Sequence, residues 1–278
     1  MQIKSLTPDG KVNNLVIVRG GGDIATGTIM KLYKSGFKVL VLETYEPSAI
    51  RRNVAFSEAV YQGSKKVEDT VCYLAKDLDD AVRLLEEGKL AMLVDPKGES
   101  IAKLKPVAVV DGILAKKNIG TKKDMAPITI ALGPGFEAGV DVDAVIETRR
   151  GHRLGRVIYE GSAEANTGVP GIIAGYGKER VIHSPAAGTL INVCAITDRV
   201  NKGDLIAYVD NGSGRIPIKA TIDGILRGLI RDGYSVTEGF KIADIDPRIE
   251  EYDNCFTISD KARCIAGGVL EAIMHELR

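Results

Sequence analysis

The chain has 278 residues, 45% of them hydrophobic, and its 37 Lys and Arg are balanced by 37 Asp and Glu. Its length and apolar content predict two domains with sizeable cores, and its zero net charge disfavours nucleic-acid or anionic-membrane partners. No apolar run approaches a membrane-spanning length, and residues 1–14 lack the apolar core of a signal peptide, so the sequence predicts a cytoplasmic protein.

The first predicted strand leads directly into a glycine turn. The apolar run 15–18 is followed by Gly20, Gly21 and Gly22 and then by a helical pattern over 26–35. The next apolar run, 37–42, ends in Glu43. Strand, glycine turn, helix, strand and acid in this order are typical of the first half of a dinucleotide-binding unit.

The turn itself predicts a phosphate site. Gly20, Gly22 and Ala25 match G-x-G-x-x-A, in which the first glycine permits the turn and the second lets a phosphate approach. The small third residue lets the helix pack on the strand, and Glu43 stands where a ribose-binding acid belongs. The alternative is that the glycines only connect strand and helix closely.

Several charged residues are predicted near this turn. Asp23 suits the helix N-terminus but would repel a pyrophosphate, a repulsion that Arg19 is placed to offset. Arg51 and Arg52 follow the second strand and are candidate phosphate clamps. The alternative for both arginines is a solvated position on a surface helix.

Later apolar runs repeat the same plan. Asp95 follows the run 90–94, Asp111 follows 107–110, and Gly133 and Gly135 follow 128–132. Because the carboxyl ends of parallel strands share one edge, these residues are expected near the glycine turn. Gly133 and Gly135 are candidate cofactor-binding residues and Asp111 a candidate catalytic acid, with helix capping as the alternative for both aspartates.

A dense polar segment, 147–156, follows the predicted strand 142–146. Its Arg149 is a candidate for binding an anionic cofactor. Its His152 is a candidate general acid or base, although a lone histidine is more often a hydrogen-bonding surface residue. The four cysteines form no C-x-x-C pair, so no metal site is predicted.

From residue 181 onward the pattern becomes β-rich and repeats itself. Residues 184–210 align without gaps on 220–246, at an offset of 36, in the pattern of the barrel-sandwich fold of biotinyl and lipoyl domains. Ser213 stands where those carriers have their modified lysine, so neither biotin nor lipoate is predicted. An amphipathic helix over 259–277 closes the chain.

These elements predict an α/β fold class with three parts. A Rossmann-like, mostly parallel sheet domain that binds a nucleotide or cofactor is expected over 1–178. A barrel-sandwich-hybrid domain without a carrier lysine is expected over 179–250. The C-terminal helix, within 251–278, is expected to dock back on the first domain, and a homodimer is expected from the β-rich domain and this helix.

Sequence motifs across the chain carry a family resemblance. They are RGGGDIATG, VLETYEPSAIRRNVAFSEAVYQG and ALGPGFEAGVDVDAVIETRRGHRLGRVIYEGSAEANTGVPG, together with the carboxyl half. As a set they resemble YqeB-type accessory proteins of selenium-dependent molybdenum hydroxylases, and the middle portion is distantly similar to xanthine dehydrogenase accessory factors. The resemblance implies a maturation protein that handles a molybdopterin-type cofactor, with the molybdenum hydroxylase or its cofactor as partner.

Three functions stay open on the sequence alone. The first is an accessory protein that binds a dinucleotide-like cofactor, whose pyrophosphate the glycine turn would hold. The second is an NAD(P)-dependent oxidoreductase, with Glu43 on the ribose and His152 or Asp111 in proton transfer. The third is a non-catalytic docking scaffold. Whether the chain is an enzyme is left undecided.

Overall fold

The computed structural model describes residues 14–166, 168 and 171–278. The chain forms two compact units. The first comprises 14–47, Ala55–Asn166 and Ile258–Arg278, and the second comprises Ser48–Val54 and the described part of Thr167–Thr257. The two units are defined by the contacts within each of them. The domain boundaries expected at residues 178 and 250 stay a prediction. The expectation that the chain lacks a signal peptide concerns residues 1–14, and residues 1–13 lie outside the described part.

The first unit is built on one large sheet. Its strands are β1 (Leu15–Arg19), β2 (Lys38–Glu43), β3 (Ser64–Val67), β4 (Thr70–Leu74), β5 (Leu90–Val94), β6 (Ala108–Asp111), β7 (Ile128–Leu132), β8 (Glu137–Ala138), β9 (Ala144–Ile146), β10 (Val157–Ile158) and β11 (Gly161–Ser162). Nine of them form a sheet in the order β10-β9-β7-β6-β1-β2-β5-β4-β3, and β11 pairs separately with β8. The strands from β9 to β4 are parallel, and the two edge strands are antiparallel.

Helices and sheet of this unit form layers around buried aliphatic strands. The helices are α1 (Asp23–Lys34), α2 (Ala59–Gln62), α3 (Leu78–Glu86), α4 (Glu99–Leu104) and α5 (Asp260–Glu276). Val16, Ile17 and Val18 of β1 are fully buried, as expected for a central strand covered on both faces. In the part of the chain that the structure describes, no helix is long and apolar enough to cross a membrane.

The described part of the second unit consists mainly of β-strands, with three short 3-10 helices, and it has a hydrophobic core of its own. Its strands are β12 (Val181–His183), β13 (Gly188–Asn192), β14 (Arg199–Val200), β15 (Leu205–Asp210), β16 (Arg215–Lys219), β17 (Gly224–Leu229), β18 (Ser235–Val236) and β19 (Lys241–Asp246). They form two antiparallel sheets, β12-β19-β17-β14 and β16-β15-β13-β18. The sequence repeat has a physical counterpart, because a Cβ on Gly188 or on Gly224 would lie 2.3 Å from a strand carbonyl, that of Asp210 or Asp246.

The predicted fold class, a Rossmann-like sheet domain followed by a barrel-sandwich hybrid, is wrong. The described chain has a large mixed sheet with antiparallel edges, together with three small antiparallel sheets. Between β6 and β7 the connection contains no α-helix. Apolar runs locate strands, but strand direction at the edges and the division into sheets depend on pairing between distant residues, which periodicity does not encode.

Helices α1 and α5 pack closely at a glycine. A Cβ on Gly27 would lie 2.8 Å from both the Cβ and the carbonyl oxygen of Ala262. The absence of a side chain at Gly27 thus allows the carboxyl-terminal helix to approach α1. This contact holds the first turn of α5 on the first unit.

We expect Gly27→Ala to lower the free energy of unfolding by about 1–3 kcal/mol, because the added methyl group forces the two helices apart. The matched control is Gly267→Ala on α5, where an added Cβ has no neighbour within 4 Å. That variant should gain about 0.5–1 kcal/mol from helix propensity alone. Urea denaturation measures both, and equal stabilisation by the two substitutions would contradict the close packing.

Candidate functional site

The three glycines between β1 and α1 have different surroundings. Gly20 has φ +89°, and a Cβ on it would lie 3.0 Å from the Cα of Ile113. A Cβ on Gly21 would lie 3.0 Å from the Ser57 amide nitrogen and from the Met92 side chain. Backbone packing therefore explains these two glycines.

Gly22 is different, because an added Cβ there has no neighbour within 4 Å. It is also the N-cap residue of α1, and no side chain caps the helix there. The first N–H groups of an α-helix have no partner within the helix, and the positive end of the helix dipole lies at this point.

Glu43 is bonded to the same turn. Its Oε1 accepts a hydrogen bond from the Gly21 N–H at 2.8 Å, and its Oε2 accepts one from the Thr44 N–H at 2.7 Å. Burial raises the pKa of Glu43, and the two backbone bonds only partly offset this rise. In this geometry Glu43 anchors the turn, and the ribose-binding role assigned to it stays a prediction.

Ala25 is fully buried in the first turn of α1. The position of a Cβ on Gly112, directly after β6, would be 2.9 Å from the Ala25 Cβ. The helix therefore lies tightly on the chain that leaves β6, and a larger residue at position 25 would not fit. This agrees with the packing role expected for the small third residue of the motif.

A buried polar network lies where β1 and β6 end. Arg19 and Asp111 are register partners on these parallel strands, with exposed fractions of 3% and 2%. The Thr121 hydroxyl joins them: it accepts from Arg19 Nη1 and donates to Asp111 Oδ2, both at 2.5 Å. Arg19 Nη2 also donates to the Pro96 carbonyl at 3.3 Å. The Arg19 guanidinium is thus held by Thr121 and Pro96 on the Asp111 side, and its role in offsetting the charge of Asp23 stays a prediction.

Asp111 is consequently a buried acid with few means to exchange protons. Burial raises its pKa, although the bonds from Thr121 and the Ile113 amide and the charge of Arg19 act in the opposite direction. Asp95, which follows β5, has a different role and caps helix α4. It accepts hydrogen bonds from the amides of Gly98, Glu99 and Ser100 at the start of α4.

The segment after β9 is organised by Glu147. This buried carboxylate accepts hydrogen bonds from the Arg149 N–H at 2.7 Å and from the Glu164 N–H at 2.8 Å. The Arg149 guanidinium itself pairs with Glu164. Arg150 makes a two-pronged ion pair with Asp260, at 2.7 and 2.9 Å. The loop after β9 is therefore tied to the first turn of α5.

Lys261, in that first turn, was missed by the sequence analysis. It is partly buried, and burial together with Arg150 lowers its pKa, although Asp23, Glu147 and Asp260 act to raise it. Among the described residues, no hydrogen bond or ion pair within 4 Å holds its ammonium group. The helical pattern over 259–277 predicted a helix there, but nothing in the sequence indicated an electrostatic interaction between Lys261 and Asp23.

The other predicted residues lie in varied settings. A Cβ on Gly133 would lie 2.6 Å from the Thr148 hydroxyl, and one on Gly135 would lie 2.6 Å from the Lys117 backbone. Both glycines have positive φ, so close approach of loops accounts for them. His152 is exposed, and among the described residues it has no hydrogen-bond partner.

Arg51 and Arg52 belong to the second unit. Arg51 donates to the Asn254 carbonyl at 2.9 Å, and Arg52 donates to the Leu229 carbonyl at 2.7 Å. Both guanidinium groups thus have backbone partners within that unit, and their role as phosphate clamps stays a prediction. In the described ranges, no group of three or more His, Cys, Asp or Glu has a geometry suited to a metal ion.

Comparison with known proteins gives a relative and several distant structural neighbours. No family model matches the chain. The chain is 50% identical over 283 residues to the uncharacterized protein YqeB of Escherichia coli (strain K12). The alignment covers 99% of this chain but 51% of that protein, so the chain spans about half the length of this relative.

The structural neighbours are only weakly similar. They include product-bound EutE (DoeB), an ectoine utilization protein of Ruegeria pomeroyi, at 11% identity, covering 88% of this chain and 66% of that one, with a TM-score of 0.24. An aspartoacylase family protein of Mesorhizobium loti (11% identical) and a succinylglutamate desuccinylase/aspartoacylase of Rhodobacter sphaeroides (12% identical) each have a TM-score of 0.26 with 84% of both chains covered. TM-scores this low carry no argument about fold or activity.

Proposed function

With membership of the YqeB family supported by 50% identity over 99% of the chain, we propose that this protein is an accessory protein that binds a phosphate-bearing, dinucleotide-like cofactor. The cofactor is of the molybdopterin type, and the protein delivers or modifies it during maturation of a selenium-dependent molybdenum hydroxylase. The motif resemblance supports the cofactor class and the partner. The geometry of the turn after β1 supports the binding.

The observation that carries the proposal is the open position at Gly22. A phosphate placed there would meet the N-terminal end of α1, where the helix dipole is positive. A Cβ added at Gly22 would have no neighbour within 4 Å beyond the adjoining residues of the chain. We therefore place the pyrophosphate of the cofactor at this position.

Charges around Gly22 set a condition on this binding. Asp23 and Glu43 would repel a phosphate, whereas Lys261, which precedes the Ala262 that lies against Gly27 of α1, supplies a positive charge at this helix pair. Its ammonium group has no hydrogen bond or ion pair within 4 Å to a described residue, and a bound anion would favour its charged form. Lys261 is accordingly the cation that we assign to the phosphate.

The oxidoreductase alternative receives less support from the geometry. A hydride transfer of this kind calls for a proton-transfer group within reach of the substrate. His152 is exposed without a described partner to orient it, and Asp111 is buried behind Thr121. Neither is arranged beside Gly22 as a catalytic pair with a second group.

The experiment is a thermal-shift titration of the chain and of Lys261→Met with cytidine diphosphate, NAD and NADP. Cytidine diphosphate contains the nucleotide half of a molybdopterin cytosine dinucleotide. At a hundred times its dissociation constant it should stabilise the fold by about 2.7 kcal/mol. Lys261→Met should weaken this response by about tenfold in affinity, whereas Lys202→Met, on an exposed lysine of the second unit, should not.

The outcomes separate the three functions. A response to cytidine diphosphate that Lys261→Met weakens supports the proposal. A response confined to NAD or NADP favours the oxidoreductase. The absence of a thermal shift with all of these compounds would favour the docking scaffold. A shift that Lys261→Met leaves unchanged would remove this lysine from the site.

A further inference from the structure

The connection between β6 and β7 forms a pocket that the proposed function does not use. Its volume is about 400 Å³, and it is lined by Asn118, Gly120, Thr121, Lys122, Lys123, Val140 and Asp141. We propose that this pocket binds a small phosphomonoester, that is, a phosphate group carried by an apolar or aromatic body. The proposal is independent of the Gly22 turn.

The positive charge of the connection between β6 and β7 favours an anionic ligand. Lys116, Lys117, Lys122 and Lys123 are all exposed within eight residues. Of these, Lys123 pairs with Asp143 at 3.3 Å, whereas Lys122 has no hydrogen bond or ion pair to any described residue. Lysine is a point charge suited to a phosphate, whereas planar carboxylates are better matched by arginine, which this connection lacks.

The floor of the pocket is held rigid by side chains. Asn118 Oδ1 accepts hydrogen bonds from the Gly120 and Thr121 amides at 2.9 Å each, and its Nδ2 donates to the Thr121 carbonyl at 2.8 Å. The Thr121 hydroxyl is in turn fixed to buried Asp111. A ligand therefore meets a surface that needs little ordering, which lowers the entropic cost of binding.

The rim of the pocket indicates what accompanies the phosphate. Val140 is 66% exposed beside the lysines, so an apolar group on the ligand would gain contact area there. The Gly120 position is open, since an added Cβ would have no neighbour within 4 Å. The volume lies within the range of small-molecule sites, which leaves room for a ring next to the phosphate.

The test is a ¹H–¹⁵N NMR titration of the whole chain with phenyl phosphate, inorganic phosphate and benzoate. Saturable shifts of the Gly120, Thr121 and Val140 amides are expected with phenyl phosphate, with weaker binding of inorganic phosphate and of benzoate. Lys122→Glu should weaken phenyl phosphate binding by at least about tenfold, because it reverses a charge in the pocket. Lys202→Glu makes the same change of net charge on the second unit and should alter affinity less than about twofold.

Each outcome bears on the pocket alone. Benzoate binding as tight as phenyl phosphate binding would overturn the preference for phosphate. Shifts confined to the amides at the start of α1, or equal effects of the two charge reversals, would overturn the site itself. Saturable shifts at Gly120 without shifts at Gly22 would support the pocket, and the cofactor site is tested separately with cytidine diphosphate.

Discussion

Replacing Arg19 by methionine is expected to lower the free energy of unfolding by about 3–5 kcal/mol at neutral pH, because it leaves a buried carboxylate uncompensated. Asp111 is 2% exposed, and Arg19 is the charged group that lowers its pKa in the folded state. The Thr121 hydroxyl would keep its bond to Asp111 but carries no charge. The loss therefore comes from the desolvated charge more than from a missing contact.

The pH dependence of this loss identifies its cause. Burial raises the folded-state pKa of Asp111 above its ordinary value of 3.8, so the folded state binds this proton more tightly than the unfolded state does. The contribution of this proton to the free energy of unfolding is fully present below the pKa of Asp111 in the unfolded state. It is lost as pH rises through the pKa of Asp111 in the folded state. Without Arg19 the pKa rises further, and the Arg19→Met deficit should shrink in acid.

Urea denaturation at pH 5 and pH 7 measures this effect. The double variant Arg19→Met/Asp111→Asn is the matched control, because an amide at position 111 keeps the acceptor for Thr121 without the charge. It should recover most of the stability lost in Arg19→Met. A deficit that is the same at both pH values, and that the double variant retains, would contradict a buried charge pair.

The sequence predicts the local parts of this fold well. The strand expected over 90–94 is β5, and the glycine turn lies between β1 and α1 as the motif requires. Ala25 is buried against the position next to Gly112, in agreement with its expected packing role. These features succeed because they depend on residues close together in the sequence, through periodicity and turn chemistry.

The structural features that the sequence did not predict depend on strand register and packing between distant residues. Arg19 faces Asp111 because β1 and β6 pair in a particular register, although the two residues are far apart in the chain. Lys261 interacts electrostatically with Asp23, and Gly27 lets the first turn of α5 pack on α1. The prediction of the fold class was wrong for the same reason, because edge strands such as β10 and β3 take their direction from pairing with distant strands.

Replacing Gly22 by valine is expected to reduce affinity for cytidine diphosphate by about a hundredfold, or roughly 2.7 kcal/mol, while the protein stays folded. Gly22 has φ −63° and ψ 176°, which a β-branched residue adopts readily. Apart from the adjoining residues of the chain, no described atom lies within 4 Å of a Cβ added there, so we expect the fold to accept the substitution. The side chain instead fills the space that a phosphate needs beside the α1 amides.

Gly214→Val is the matched control, since an added Cβ at Gly214 likewise has no neighbour within 4 Å and its φ is not in the left-handed region. Thermal unfolding of the two variants should agree to within about 1 kcal/mol, whereas only Gly22→Val should lose the ligand. Retained binding in Gly22→Val would remove the glycine turn from the site. Loss of binding in both variants would show that the effect is not local, because Gly214 lies in the turn between β15 and β16 of the second unit.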